Sequence, residues 1–344
     1  MFPPRIELAM YFHSPTGSQA LLFEDRDEFL ARLLAVCGEA IGIRTGMAIE
    51  GFRSLKLHLQ GHLVLRFDYV WSSGRQPLVL RLYQTACSPW ARSDPPAAKA
   101  RREFALLGWL ARCGLPVPDP IWLDVQGIAL DFPAVLLPAM PGHGFEDEAA
   151  TPNEAMRATF KRLALAQARI HACHGNDWPG RGRLPTLPLD TVLTFLDDLV
   201  DELGDPLARG LLDEVIALRP NVEELDSVLV HGDFQLSNLR FQYGEVSAVL
   251  DWEAAVWADP RWDVASTRLS LGPVAEEYLA TYEAARGCPL RQIRFWDALV
   301  ATRAIALHRW HARQVSAIAE ADHLAQIERW EQTAREALHH TRSS

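Results

Sequence analysis

Between Val228 and Pro260 the chain reads VLVHGDFQLSNLRFQYGEVSAVLDWEAAVWADP, which sets His231, Asp233, Asn238, Asp251 and Glu253 among apolar runs. Carboxylates crowded this closely repel one another unless a cation neutralises them. The segments LRFQ and VSAVL read as strands, and Tyr243-Gly244-Glu245 between them is a turn signal. In an antiparallel hairpin with arms of nearly equal length, the open ends lie about 5 Å apart. Asn238 sits just before the first arm and Asp251 just after the second, so the two are expected to meet at the mouth. An amide oxygen beside a carboxylate is a hard-oxygen pair suited to Mg²⁺, which keeps waters and phosphate oxygens in its other positions. Asp233, on the loop leading into the hairpin, is a further carboxylate able to act as a base or to orient a hydroxyl. The short strand SVLV delivers His231-Gly232-Asp233 at its end.

The spacing D-x-x-x-x-N followed by a later Asp matches the catalytic loop and metal-binding Asp of kinases. In the form H-G-D…N…D-W-E it resembles the aminoglycoside phosphotransferase family, relatives of choline and homoserine kinases within the protein-kinase-like superfamily. The resemblance runs over roughly residues 45–310 and is strongest at 228–263. It implies ATP- and Mg²⁺-dependent transfer of the γ-phosphoryl group to a hydroxyl of a small molecule. Asp233 is then the catalytic base, and Asn238 and Asp251 are the metal ligands. His231 braces the loop, Glu253 supports the metal, and Asp263 in DPRWDVA steadies the loop from a helix start.

The same resemblance assigns a nucleotide half. Arg81 in PLVLRLY stands where the family carries a strand cation for the phosphates, and Glu103 in AKARREFALL is the helix carboxylate that holds it. Arginine replaces the usual lysine, and its planar fork can grip phosphate and carboxylate together. AVLLPAMPG resembles the hinge that reads adenine through a backbone acceptor and a donor two residues on, which implies the Pro138 carbonyl and the Met140 N–H. The phosphate-covering turn has only Gly61, with Gly51 earlier, so few backbone N–H groups can approach phosphate closely. GTP is not excluded as the donor.

Positioning these residues requires a mixed α+β architecture. Residues 1–45 are expected to form a helical extension, with Phe29, Leu30, Leu33 and Leu34 on one face. Residues 46–138 form a small antiparallel sheet with one helix, and 139–344 a mainly helical lobe carrying the catalytic hairpin. At 344 residues, 49% hydrophobic and 23% charged, the chain is ordinary for a globular protein. A net charge of −10 argues against nucleic acid and anionic membrane as partners. Cys37, Cys87, Cys113, Cys173 and Cys288 are odd in number and lack a CxxC pair, which fits a reducing cytoplasm. Neither a signal peptide nor a transmembrane run is expected. Oligomeric state is not legible.

Four further features have two readings each. Asp197, Asp198, Asp201 and Glu202 either attract a cationic acceptor or are solvated helix charge. Trp257, Trp262, Trp296 and Trp310 either cage a quaternary ammonium or pack in the core. Arg303, His308, Trp310, His311 and Arg313 share one helix and either line an acceptor pocket or form its outer face. His171, Cys173 and His174 are read as a structural helix end rather than a metal site. The rival functional readings are a nucleotide-binding pseudokinase scaffold and a protein kinase. The second is disfavoured because DWEAAVWADPRWDVAS leaves little room for an activation segment.

Overall fold

Period-two alternation from His62 to Tyr83 buries every second side chain on one side of a sheet, and that sheet organises the first half of the protein. In the computed structural model, the residues described are 10–14, 17–21, 26–58, 62–84, 94–145, 153–173, 178, 184–313 and 317–343. The chain divides into two compact units, Met1–Pro141 and Gly142–Ser344.

In the first unit, β1 (Met10–Ser14) and β2 (Gly17–Leu21) form a hairpin ahead of α1 (Arg26–Ile41). The segment expected to be a helical extension is thus only partly helical. The sheet comprises β3 (Ala48–His58), β4 (His62–Trp71), β5 (Gly74–Tyr83), β6 (Trp122–Asp124) and β7 (Ala134–Pro138), in the order β3-β4-β5-β7-β6 with antiparallel pairing throughout. Leu63, Leu65, Phe67 and Tyr69 of β4 join Leu78, Leu80 and Leu82 of β5 in one core cluster. Helix α1 seals it with Phe29, Leu33, Val36 and Cys37, while Leu30 and Leu34 pack only at its margin. The buried stripe therefore lies a little around the helix from the face expected. Arg32 ties α1 to the 129–131 turn, donating to the Ala129 carbonyl at 2.7 Å and to both oxygens of Asp131 at 2.6 and 2.9 Å. Helix α2 (Pro96–Arg112) begins at Pro96, whose missing N–H costs nothing at a helix start.

The second unit is mainly helical: α3 (Asn153–His171), α4 (Leu189–Leu203), α5 (Pro206–Leu218), α6 (Arg261–Ser270), α7 (Ala275–Arg286), α8 (Ile293–Ala312) and α9 (Ala317–Ser343). Helix α8 packs against α4, α5, α6 and α9. Two short two-stranded sheets are set among these helices. Strand β8 (Val228–Val230) pairs antiparallel with β11 (Val256–Ala258), a strand the sequence reading left unassigned. Strands β9 (Leu239–Gln242) and β10 (Glu245–Val249) form the expected hairpin, with a bulge between Val246 and Ala248. The bulge absorbs the odd residue of the five-residue arm, so Leu239 still faces Val249.

The 142–144 segment braces this hairpin. His143 and Phe241 exchange backbone hydrogen bonds of 3.0 and 2.9 Å. Gly142 reaches this position with φ +108°, and a Cβ there would sit 2.5 Å from Ser247 Oγ and 2.6 Å from the Phe241 carbonyl oxygen. Gly142→Ala is therefore expected to destabilise the protein by about 3 kcal/mol, combining backbone strain with overlap against backbone. Gly144→Ala, where a Cβ meets nothing within 4 Å, stays within about 0.5 kcal/mol of wild type. Urea unfolding of the two variants side by side checks the contrast.

Candidate active site

A buried carboxylate holds the His231-Gly232-Asp233 loop. Asp263, in the first turn of α6, accepts the His231 N–H on Oδ2 at 2.6 Å and the Gly232 N–H on Oδ1 at 2.9 Å. Gly232 adopts φ +81°, and a Cβ there would lie 2.3 Å from the Ala254 carbonyl oxygen, so only glycine fits. The ring of His231 is fully buried, 4.6 Å from the Trp252 ring and 5.9 Å from Phe234. Its Nδ1 accepts the Asp233 N–H at 3.2 Å, so Nε2 carries the proton and donates to the Leu250 carbonyl at 2.9 Å. One imidazole thereby ties the loop to the end of β10, one residue before Asp251.

Behind Asp263 stands a second histidine. His171, the last residue of α3, lies 3.4 Å from Asp263 through Nε2 and 2.6 Å from the Tyr282 hydroxyl through Nδ1. Burial pushes the Tyr282 phenol up to about 12, so it keeps its proton and donates to Nδ1. The ring then offers its Nε2–H to Asp263. His171 sits in a hydrogen-bond chain, as its structural reading expects; His174 lies outside the described residues. Tyr282 carried no signal in the sequence, because a single tyrosine on an amphipathic helix looks like any other core residue.

Asp233 itself is half-buried. Its Oδ2 accepts from Asn238 Nδ2 at 2.8 Å, and its Oδ1 accepts from Gln235 Nε2 at 2.7 Å. The same Asn238 nitrogen also donates to the Asp233 carbonyl at 2.9 Å. Asn238 thus points its NH₂ at the loop, and Oδ1 is the atom of the amide able to accept a cation. Gln235 went unassigned in the sequence, although its position two residues after the acid suits such a contact. The Leu250 N–H donates to the Asn238 carbonyl at 2.8 Å, which continues the ladder one step past the Leu239–Val249 pair. Asp251 follows at φ +69°, a left-handed conformation that costs a non-glycine residue energy and recurs at functional sites. Carboxylate oxygens of Asp251 and Glu253 lie within 4.8 Å of each other. Amide and carboxylate oxygens are hard donors of the kind that fits Mg²⁺.

The nucleotide candidates lie in the first unit. Arg81 of β5 donates to Glu103 Oε1 of α2 at 2.8 Å, with side-chain exposures of 6% and 3%. Two residues missed in the sequence complete the group. His62 Nε2 lies 2.9 Å from Arg81 NH2, and the Tyr83 hydroxyl donates to Glu103 Oε2. Both were readable in principle, because β4–β5 register sets His62 opposite Tyr83 and Val64 opposite Arg81. Pro138 ends β7, and the Ala139 N–H donates to the Pro77 carbonyl at 2.9 Å. In a planar trans peptide the Pro138 carbonyl points opposite to that N–H, away from β5. Met140 follows two residues on. Gly61 lies outside the described residues, as do the side-chain atoms of Lys56.

Arg303 of α8 lies beside the start of α6, the helix that carries Asp263. Its guanidinium lies 5.4 Å over the Trp262 ring, and burial lowers it to about 10 while the charge of Asp233 opposes that fall.

Two stability effects follow from these contacts. Asp263→Ala strands two buried backbone N–H groups and the His171 Nε2–H and is expected to cost about 3–5 kcal/mol, with Asp263→Asn milder because one acceptor survives. Glu103→Ala leaves Arg81 as a buried charge without its carboxylate and costs about 3–5 kcal/mol, whereas the apolar pair Arg81→Met with Glu103→Leu costs less than the two single changes together. Chemical denaturation of each variant measures both effects.

Comparison with known proteins matches residues 59–299 to the phosphotransferase enzyme family (APH). Acyl-CoA dehydrogenase family member 10 of Mus musculus is 29% identical over 199 residues, covering 51% of this chain and 17% of that protein. Family member 11 of Gallus gallus is 30% identical over 182 residues, covering 50% of this chain and 23% of that protein. The chain thus matches under a quarter of the length of these relatives. Among solved structures, a candidate aminoglycoside phosphotransferase from Ralstonia eutropha gives a TM-score of 0.69 at 18% identity, covering 91% of this chain and 98% of that one. The GDP complex of aminoglycoside 2'-phosphotransferase-IIIa gives 0.61 at 16% identity, covering 88% and 98%. A thermostable mutant of aminoglycoside phosphotransferase APH(4)-Ia, with ADP and hygromycin B, gives 0.57 at 13% identity, covering 89% and 98%. These likenesses show a protein-kinase-like fold. With the family match spanning most of the chain, they identify this protein as a phosphotransferase that belongs to the APH phosphotransferase enzyme family.

Proposed function

We propose that the chain transfers the γ-phosphoryl group of ATP to a hydroxyl of a small molecule, with Mg²⁺. The observation that carries this reading is the Asp233 loop. A carboxylate is fixed by Asn238 and Gln235 on a loop clamped by Asp263, ahead of a hairpin that ends in Asp251 and Glu253. Complexes of related folds with ADP or GDP support a purine nucleotide as donor.

In this reading the acceptor hydroxyl donates a hydrogen bond to Asp233. Its oxygen forms a bond to the γ-phosphorus as the bond to the β–γ bridging oxygen breaks. The hydroxyl proton passes to Asp233, and ADP leaves with the bond electrons. Such transfers depend on positioning and charge neutralisation more than on covalent catalysis. Asn238, Asp251 and Glu253 would hold Mg²⁺, which supplies charge neutralisation of the phosphate oxygens when bound. Arg81, oriented by Glu103, contributes a planar cation for phosphate oxygens. The Pro138 carbonyl and the Met140 N–H serve the adenine edge. Among the described residues, no helix is long and apolar enough to cross a membrane.

The printed names of the relatives refer to acyl-CoA, so acyl thioesters that bear a hydroxyl are screened beside aminoglycosides. An acceptor screen therefore includes aminoglycosides, amino alcohols, sugars and hydroxyacyl thioesters, with ADP formation as the readout. Asp233→Ala is expected to lower turnover by about 10²–10⁴-fold, the usual contribution of a positioned base. Nucleotide binding, followed by thermal shift, should persist in that variant. Retained turnover in Asp233→Ala would sink the assignment of the base. Nucleotide binding without turnover on every acceptor would instead favour a scaffold.

A further inference from the structure

The candidate base has two amide partners, and they differ in what they have left to offer. Asn238 is buried, and its NH₂ is committed twice, to the Asp233 carbonyl at 2.9 Å and to Asp233 Oδ2 at 2.8 Å. Gln235 is exposed, and its NH₂ donates to Asp233 Oδ1 at 2.7 Å. An ionised carboxylate only accepts hydrogen bonds, so the NH₂ end of the Gln235 amide must be the end that faces it. The other end of that amide is an acceptor, Oε1, which has no partner among the described residues.

The backbone fixes the root of this side chain. The Gln235 N–H donates to the Asp233 carbonyl at 2.9 Å, and the Asn238 N–H donates to the Gln235 carbonyl at 2.9 Å, so both backbone groups of Gln235 are bonded within the loop. Phe234, between the two side chains, is buried with its ring 5.9 Å from that of His231, and its carbonyl accepts from the Thr267 hydroxyl at 2.8 Å. The loop is thus pinned inward at Phe234, while Asp233 stays half-buried and Gln235 exposed. In a planar amide the oxygen and nitrogen are about 2.2 Å apart, which places Oε1 no more than about 5 Å from Asp233 Oδ1. Two acceptors at such a spacing can be bridged by two donors on neighbouring carbons, each at an ordinary hydrogen-bond length. Asp233 Oδ1 keeps a lone pair for a hydroxyl beside the bond from Gln235.

We propose that the acceptor carries a second O–H or N–H donor on the carbon next to the reacting hydroxyl, as in a vicinal diol or a vicinal amino alcohol, and that Gln235 is the specificity residue that accepts from it through Oε1. The proposal rests on the phosphotransferase reading and deepens it by naming the substrate class. The reacting hydroxyl bonds to Asp233 and the neighbouring donor bonds to Gln235, so the acceptor is held at two adjacent points and its reacting oxygen is aimed. That oxygen forms the new bond to the γ-phosphorus as the bond to the β–γ bridging oxygen breaks, and its proton passes to Asp233. The neighbouring group keeps its proton, and Gln235 takes no part in the bond changes. With an acceptor that lacks the second donor, the exposed Oε1 turns to water, so discrimination has the modest size of one net hydrogen bond.

The test measures kcat and KM by ADP release with Mg-ATP, above the rate without acceptor, for matched acceptors that differ in one donor. The pairs are propylene glycol against n-propanol, glucose against its monodeoxy counterparts, and dimethylaminoethanol against choline. The last pair has equal charge, but only dimethylaminoethanol keeps an N–H. The wild-type protein is expected to prefer the member with the second donor by about 3–10-fold in kcat/KM in the hydroxyl pairs, in the amine pair or in both, and the pair that responds identifies the donor read. Gln235→Leu, which removes both ends of the amide, is expected to bring that preference within about twofold of unity. Gln235→Glu keeps acceptor oxygens but loses the NH₂, so it lowers kcat while retaining the preference. If Gln235 only braced Asp233, Gln235→Leu would lower both members of a pair alike and leave their ratio unchanged, which would overturn the proposal. Equal or reversed preference of the wild type in every pair, or ATP turnover that none of the diols and amino alcohols raises, would also overturn it. Failure of the underlying reading is separate: it is seen as absence of all ATP turnover, or as turnover that survives Asp233→Ala.

Discussion

One buried carboxylate, Asp263, is the constraint on which the Asp233 loop depends. A carboxylate with about 1% exposure is costly to bury unless charge-assisted donors surround it. Asp263 has three: the N–H groups of His231 and Gly232, and the Nε2–H of His171. The bonding is reciprocal. The loop N–H groups satisfy the carboxylate, and the carboxylate fixes two consecutive peptides, which sets the direction in which Asp233 leaves the loop. Because Asp263 sits in the first turn of α6, it is anchored on a regular element, and the helix N-terminus favours negative charge there. A loop held only by side-chain packing could rock about its ends, whereas one held at two neighbouring amides cannot. The preorganisation of Asp233 thus originates outside the loop, in a helix start some thirty positions further along the sequence.

The hairpin transmits the same order to the cation candidates. His231 grips the Leu250 carbonyl, and Asn238 grips the Leu250 N–H through its own carbonyl. Residue 250 is therefore held from both sides, and Asp251 emerges from a fixed point in a strained backbone conformation. The bulge at Ser247 is part of this arrangement. Without it the five-residue arm would be out of step with its four-residue partner, and residue 251 would be displaced from Asn238. Gly142 makes room for the bulge, since any side chain there would collide with Ser247 and Phe241. The positions of three acids and one amide are thus governed by two glycines, one bulge and two hydrogen-bonded backbone groups.

Much of this was legible in the sequence because the signals were local. Alternation marked β4, β5, β9 and β10, and a turn triplet marked the hairpin tip. The spacing of His231, Asp233, Asn238 and Asp251 stated what had to be brought together. The pairing of Arg81 with Glu103 was also anticipated, since strand cation and helix carboxylate are separated by one predictable connection. What escaped notice depends on contacts between distant segments. Tyr282 meets His171 across 111 positions, and nothing in either stretch marks the other as its partner. Strand β11 is three residues long and is stabilised only by pairing with β8, so its own sequence carries too weak a pattern. The hairpin of β1 and β2 precedes a strongly periodic helix whose signal dominated the reading of that segment. The face of α1 was read one step off because Leu34 and Val36 are equally apolar, and only the sheet beneath decides which is covered.

The net charge of −10 is the feature most easily misread, because it suggests a protein built to attract cations. Lysine occurs only at 56, 99 and 161, so the cationic side chains are almost all planar guanidinium forks. A fork can be buried with several acceptors at once and can lie flat on an aromatic ring, which an ammonium on a flexible stem does poorly. Arg261 shows the consequence: it binds both oxygens of Asp259, two backbone carbonyls and the Trp296 ring, at 1% exposure. Arg268 does the same between Asp297 and Glu276, and burial still pushes Asp297 up to about 6 against that pull. In this chain the arginines consume acids and ring faces internally. The overall charge therefore does not describe any one local surrounding, whose sign is set by the side chains that line it.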